Sequence, residues 1–180
     1  MTEDAISKFI DSVPFFKDFT EHEKDRLISR GKCFEKYGNA DVIFEQGDAG
    51  DSLFLVLNGT ISLTRLGSVR AVGEGRISLQ KELEKHVTDL VSGAIFGEVS
   101  MLTGCRRNVT ARITSPTAVV MRITKKLMES LNHPAQIKFH EQLLLSLANH
   151  LDEMNRQYID LEHKYNDALK AREGAASKKE

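Results

Sequence analysis

The chain has 180 residues, 41% of them apolar, with a formal net charge of -1. That length suits one domain with an appendage and supports a real core, while the balanced charge gives no general pull toward nucleic acid or anionic membranes. Two cysteines, Cys33 and Cys105, are too few for a disulfide framework; no apolar run approaches the roughly 18 residues of a membrane span, and the opening MTEDAISKF lacks the basic and apolar regions of a secretory signal, so a soluble, cytoplasmic chain is expected.

Ala5, Ile6, Phe9 and Ile10 recur at helical spacing across residues 2–12, and Pro14 ends that helix. Thr20 and Glu23 form the capping-box pattern of a second helix, Glu21 to about Arg30, with Leu27 and Ile28 facing inward. Phe15, Phe16 and Phe19 between the two read as core. From Lys32 the apolar period changes to two, giving strands near Cys33–Tyr37 and Val42–Phe44. Glu45–Asp51 is a glycine-aspartate turn; it lacks the carboxylate ladder and closing glutamate of a calcium loop. Ser52–Leu57 is a strand, Asn58-Gly59 is the strongest short hairpin signal, and Thr60–Arg65 is the expected return strand. Gly67, Gly73 and Gly75 mark turns in a long link over residues 67–86, where Arg76–Leu79 suits an extra strand and the charged Lys81–Lys85 a solvated tip. The β pattern resumes at His86–Val91, Ser92-Gly93 turns the chain, and Ala118–Ile123 is the last strand.

Thr124 caps a short helix to about Leu131, broken by Asn132-His133-Pro134. A long helix then runs from Ala135 to about Arg172. On it Leu144, Leu147, Leu151, Met154, Tyr158, Leu161, Tyr165 and Ala168 keep an uninterrupted 3-4 heptad spacing, which predicts a coiled coil and a homodimer. The expected fold class is α+β: an antiparallel, jelly-roll-like β-roll with N-terminal helices over residues 1–134, a coiled-coil helix over 135–172, and a frayed tail over 173–180.

The stretch Phe96–Thr110, FGEVSMLTGCRRNVT, carries the chemistry. Gly97 lets a ligand approach the backbone closely. The helical turn after it aims free N–H groups outward, which suits a phosphate. An arginine returning to that place supplies a fork of donors for phosphate oxygens. Glu98 accepts hydrogen bonds but repels a phosphate, so it suits a sugar hydroxyl. The residues together describe a pocket for a sugar phosphate.

This stretch resembles the phosphate-binding cassette of cyclic nucleotide-binding domains, the family of the bacterial catabolite activator protein and the regulatory subunits of cAMP-dependent protein kinase. Phe96, Gly97 and Glu98 match its opening, Arg107 stands at the kinase-subunit spacing, and GDAGDSLFLVLNGTISL is similar to the family's central hairpin, so the likeness spans roughly residues 12–134. Arg106 stands where the family often has proline or a polar residue and reads as the exposed neighbour; Asn108 departs from the family's small residue, which touches base preference and affinity. The resemblance implies regulatory binding of a cyclic mononucleotide, cAMP with cGMP as the alternative. Arg107 would pair with the cyclic phosphate, assisted by N–H groups of Gly97, Val99, Ser100 and Asn108. Glu98 would take the ribose 2′-hydroxyl, and the long helix would cover the base through Leu147, His150 or Leu151. A nucleotide-free dimerising scaffold is the other reading, with an unknown downstream partner.

No enzyme signature is present: there is no Gly-x-Ser-x-Gly, Walker loop or paired carboxylate, and the six histidines and two cysteines lack metal-ligand spacing. Cys105, beside the arginines, is read as a small turn residue and not as a nucleophile. The short tail leaves no room for a helix-turn-helix domain, so no contact with nucleic acid is expected.

Overall fold

The computed structural model describes residues 2–70 and 80–176, with side chains for all of these except 31, 68–70, 80–82 and 171–176. The chain divides into two compact units, Met1–Phe139 and His140–Glu180. In the first, α1 (Glu3–Ser12) buries Ile6 and Ile10. Pro14 stops it by opening a 3-10 turn, Pro14–Phe16. α2 (Glu21–Ile28) starts at the expected capping box, with the Thr20 side chain accepting from the Glu23 N–H and the Glu23 carboxylate accepting from the Thr20 N–H. Phe15, Phe16 and Phe19 are buried; their rings pack against one another, and those of Phe15 and Phe19 against Phe139, at centroid separations of 4.9–6.1 Å. That is the core role expected of them.

Among the described residues the strands are β1 (Phe34–Gly38), β2 (Val42–Phe44), β3 (Ser52–Asn58), β4 (Ile61–Arg70), β5 (Gln80–Leu90), β6 (Ile95–Phe96), β7 (Thr110–Ile113) and β8 (Thr117–Thr124). They form two four-stranded antiparallel sheets, ordered β1-β8-β3-β6 and β2-β7-β4-β5. Phe44, Phe54, Val56, Ile61, Phe96, Ile113 and Val120 fill the space between them. Residues Ser52–Leu57 are buried without alternation, because β3 faces the other sheet on one side and meets α1 and α3 (Glu98–Thr103) on the other.

Two expectations are corrected. Asn58-Gly59 does not close a hairpin: β3 and β4 lie in different sheets, and the turn carries the chain from one to the other. Gly59 takes φ +93°, and a Cβ there would come within 2.6 Å of the Thr117 carbonyl. Thr60 N–H donates to Ser115 Oγ and the Thr114 N–H to Thr60 O, so β7 captures β4 at its first residue, Ile61 opposite Ile113. Lys81–Lys85 is not a tip: it belongs to β5, with Lys85 opposite Arg65 and Glu84 opposite Leu66. All side chains from Leu83 to Asp89 are exposed; the charged half of the strand shows no apolar alternation to read, while its second half agrees with the β pattern expected at His86–Val91. The strand expected at Arg76–Leu79 lies outside the described residues.

After β8, α4 (Lys125–Glu129) is capped by the Thr124 side chain, which accepts from the Leu127 N–H. α5 (His133–Ala176) follows, its start capped by Asn132, whose side-chain oxygen accepts from the Ala135 N–H. Beyond His140 it forms the second unit, where Leu144, Leu151, Met154, Tyr158, Leu161 and Tyr165 are each 59–69% exposed. Among the described residues no helix is long and apolar enough to cross a membrane.

Candidate functional site

β6 pairs with β3 at Phe54 and delivers Phe96 into a stack with Phe44 and Phe54, centroids 5.3–5.9 Å apart. Gly97 follows at φ +75° as the N-cap of α3, and Gly104 closes that helix at φ +73°, its N–H donating to Ser100 O at 2.9 Å. Both conformations are ones that glycine adopts without a Cβ penalty. The chain then returns through Cys105 and Arg106 to Arg107. Two backbone bonds hold it against the glycine-aspartate turn: Arg107 N–H to Asp48 O and Gly47 N–H to Arg107 O, both 2.8 Å. Arg106 is exposed and donates to Gly47 O at 2.7 Å.

Arg107 points inward and is only 5% exposed. Its Nη1 donates to Gly97 O at 2.7 Å and its Nη2 to Ser52 O at 2.8 Å. The guanidinium carbon lies 4.3 Å from the Phe44 ring centroid, a cation–π contact. Burial lowers the pKa of Arg107, with the charges of Asp51, Asp48 and Glu98 opposing that effect and Arg122 adding to it; the group stays a cation. Its Nε is buried and has no hydrogen-bond acceptor. Leaving a buried donor unmet costs about 1–3 kcal/mol, more for a charged group, so the guanidinium is left incompletely satisfied, with Nε the nitrogen that has no partner at all.

Two glycines fit around that guanidinium. A Cβ on Gly97 would sit 2.6 Å from Nη1, and one on Gly50 would sit 2.7 Å from both Cζ and Nε and 2.6 Å from the Ser100 Cβ. Ser52 is the third contact, almost fully buried, and its hydroxyl accepts from Arg122 Nε at 3.2 Å. Sequence reasoning singled out Gly97 but not Gly50, Ser52 or Phe44. Gly50 reads locally as a turn glycine and Phe44 as core; only their approach to Arg107 in space assigns them to this place.

Of the other expected residues, Glu98 and Ser100 are buried at the start of α3, Val99 beside them is 45% exposed, and Asn108 is exposed next to Arg107. The structure thus gathers Gly97, Glu98, Ser100 and Arg107 at one corner of the first unit. Leu147, His150 and Leu151 lie on α5 in the second unit, Leu147 half-buried and the other two exposed. A cleft of about 530 Å³ opens beside the arginine, lined by Ala49, Gly50, Asp51, Gly104, Cys105 and Arg106. That volume falls within the range of small-ligand sites, roughly 300–1,000 Å³. Among the described residues no group of three or more His, Cys, Asp or Glu is placed to hold a metal ion.

The sequence matches the cyclic nucleotide-binding domain family over residues 34–132, more than half of the chain. The chain belongs to that family. The cyclic nucleotide-binding domain is similar to the cAMP-dependent protein kinase type II regulatory subunit of Drosophila melanogaster, 26% identical over 131 residues; the match takes in 71% of this chain and 30% of that one, so the chain spans under a third of that relative's length. Among solved structures, a cyclic nucleotide-binding domain from Methylobacillus flagellatus has a TM-score of 0.60 at 23% identity, over 84% of this chain and 79% of the other. The catabolite activator protein of Thermus thermophilus has a TM-score of 0.60 at 24% identity, over 83% of this chain and 63% of the other. At these identities the two structures share the fold.

Proposed function

We propose that the chain is a regulatory, non-catalytic module that binds a cyclic purine mononucleotide, cAMP ahead of cGMP, at the Phe96–Thr110 cassette. One observation carries this reading: the buried Nε of Arg107 lacks an acceptor while its other nitrogens are tied to Gly97 and Ser52 carbonyls. A phosphate oxygen supplies the missing acceptor and compensates the buried charge. Gly50 covers that nitrogen, so the turn Ala49–Asp51 yields when the oxygen arrives. N–H groups of Val99, Ser100 and Asn108 assist, and Glu98, a charged acceptor beside Gly97, takes the ribose 2′-hydroxyl. The preference for cAMP is supported by the name of the Drosophila relative, a cAMP-dependent kinase subunit. Base contact from Leu147, His150 or Leu151 belongs to this proposal and rests on the family resemblance alone. A cytoplasmic homodimer joined along α5 completes it, since the exposed heptad side chains need a partner surface.

A second reading, a scaffold that binds no nucleotide, draws on the same arginine, already anchored at two carbonyls and covered at its Nε. Calorimetric titration with cAMP, cGMP and a cyclic dinucleotide separates the two. Saturable heat with cAMP at lower concentration than the others supports the proposal; no heat with any of them supports the scaffold.

A further inference from the structure

A second cleft, of about 460 Å³, lies on the first unit between the 3-10 turn Gly31–Cys33, β1, the end of β8 and α4. Its walls carry four cations, Arg30, Lys32, Arg122 and Lys126, and one carboxylate, Glu35. That is a strong local excess in a chain whose net charge is -1. The single carboxylate is already engaged: Glu35 accepts from the Tyr37 hydroxyl at 2.5 Å and lies 3.9 Å from Arg122.

Arg30 is held by neutral groups that leave its charge uncompensated, whereas the charge of Arg122 is shared with Asp51 and Glu35. Arg30 donates to the hydroxyl and, at 3.1 Å, to the carbonyl of Ser130. Arg122 donates to Ser52 Oγ and Asp51, each at 3.2 Å. Among the described residues Arg30, Lys32 and Lys126 make no ion pair. The hydroxyls at this cleft are occupied, Thr124 in capping α4 and Ser130 with Arg30 and the Leu127 carbonyl, so charge and not hydroxyl chemistry decides what fits. An oriented Arg30 guanidinium, a second guanidinium shared with two carboxylates, and two ammonium groups without an ion pair among the described residues, around a cavity of small-ligand size, suit an anion with several charged groups.

We infer that this cleft is a second ligand site, separate from the cassette, for a small polyphosphate with two or more phosphoryl groups. Arg30 and Arg122 take phosphoryl oxygens as fixed forks, and Lys32 and Lys126 close over the remaining charge. The source is either inorganic polyphosphate or the phosphate chain of a nucleotide; the phosphoryl groups are the recognised chemistry in both.

The test is calorimetric titration of the full chain with tripolyphosphate and, separately, ATP, at about 0.15 M salt where diffuse surface attraction is screened. Both should bind saturably. The double variant Lys32→Glu, Lys126→Glu should bind at least about tenfold more weakly. A matched charge change at exposed positions elsewhere, Lys8→Glu with Lys17→Glu, should stay within about twofold of the wild type, well under the effect of about 1.4 kcal/mol that a tenfold change represents. Equal affinity for the two ligands assigns the phosphoryl groups alone, and tighter ATP binding assigns a nucleotide. The inference fails if neither ligand binds at about 1 mM, a standard free energy near -4.1 kcal/mol. It fails equally if both double variants weaken binding alike, or if only an acidic peptide binds. Because the variants lie outside the cassette, loss of this site and loss of cAMP binding are read independently.

Discussion

Phe44, Phe54 and Phe96 in the first unit are each under 10% exposed, whereas Leu151, Met154, Tyr158 and Leu161 in the second are all more than half exposed. The residue types are equally apolar; what differs is whether the chain supplies its own covering surface. In the first unit two sheets face each other and close the core. The second unit is helical, and one helix cannot bury its own stripe. The closed unit holds the cassette around Arg107, and the open one carries the seam of the proposed dimer.

The largest effect expected comes from breaking the open half. In the proposed dimer, Leu151→Lys with Leu161→Lys replaces four buried leucines, each worth about 1.5–3 kcal/mol, by facing charges. Light scattering should show a dimer for the wild type and a mass near 20.2 kDa for the variant, with the far-ultraviolet signal of the sheets retained. A monomeric wild type would remove the proposed seam.

Next comes the closed half, at its two left-handed glycines. Gly97→Ala and Gly104→Ala both carry the backbone penalty of about 1–2 kcal/mol for a side chain in this conformation. Only at Gly97 does the new methyl also meet Arg107, at 2.6 Å, while at Gly104 it has nothing within 4 Å. Thermal denaturation should therefore show the larger loss for Gly97→Ala, by a few degrees per kcal/mol, and cAMP affinity should fall far more at Gly97. Equal losses at both positions would mean that Arg107 moves aside at no cost.

A smaller effect is expected from Glu98→Gln. Exchanging a charged acceptor for a neutral one of the same shape weakens a hydrogen bond by about 1 kcal/mol, roughly fivefold in affinity. The loss should appear with cAMP and be absent with its 2′-deoxy analogue. The same loss with both would make Glu98 a support of the loop.

The smallest concerns Glu23, where α2 meets Lys138. Burial pushes its pKa up, but the Lys138 ammonium at 2.6 Å and the Thr20 N–H outweigh it, and the net shift is downward. A carboxylate with a lowered folded-state pKa contributes stability above the ordinary range, about pH 4.3, and loses it as pH falls below that. Denaturant midpoints between about pH 5 and 3 should drop less steeply in Glu23→Gln than in the wild type; parallel curves would show that the pair contributes nothing.

Local rules carried the helix boundaries and the cassette. Thr20, Glu23 and Thr124 act within three residues of themselves, so their caps are legible in sequence. The placement of Gly97 as a left-handed helix cap is legible because it follows from a local glycine; the ligand roles of Glu98 and Arg107 belong to the proposal. What failed is partner choice. Asn58-Gly59 does mark a turn, but which sheet receives β4 depends on Ser115 and Ile113, more than fifty residues away. The second half of β5 was legible at His86–Val91, while its charged first half over Lys81–Lys85 carries no apolar alternation and was not. Gly50 and Ser52 were missed for a similar reason: their contact with Arg107 spans more than fifty positions and leaves no local pattern.

The unmet Nε–H of Arg107 is the centre of the proposed phosphate site. Nuclear magnetic resonance of the Arg107 Nε–H group during titration with cAMP reads it directly, with Arg107→Lys used to assign the signal. The signal should move downfield and become protected from exchange, saturating at the concentration at which calorimetric heat saturates. A chain that binds cAMP while this signal stays where it was, or one in which no amount of cAMP moves it, would contradict the account.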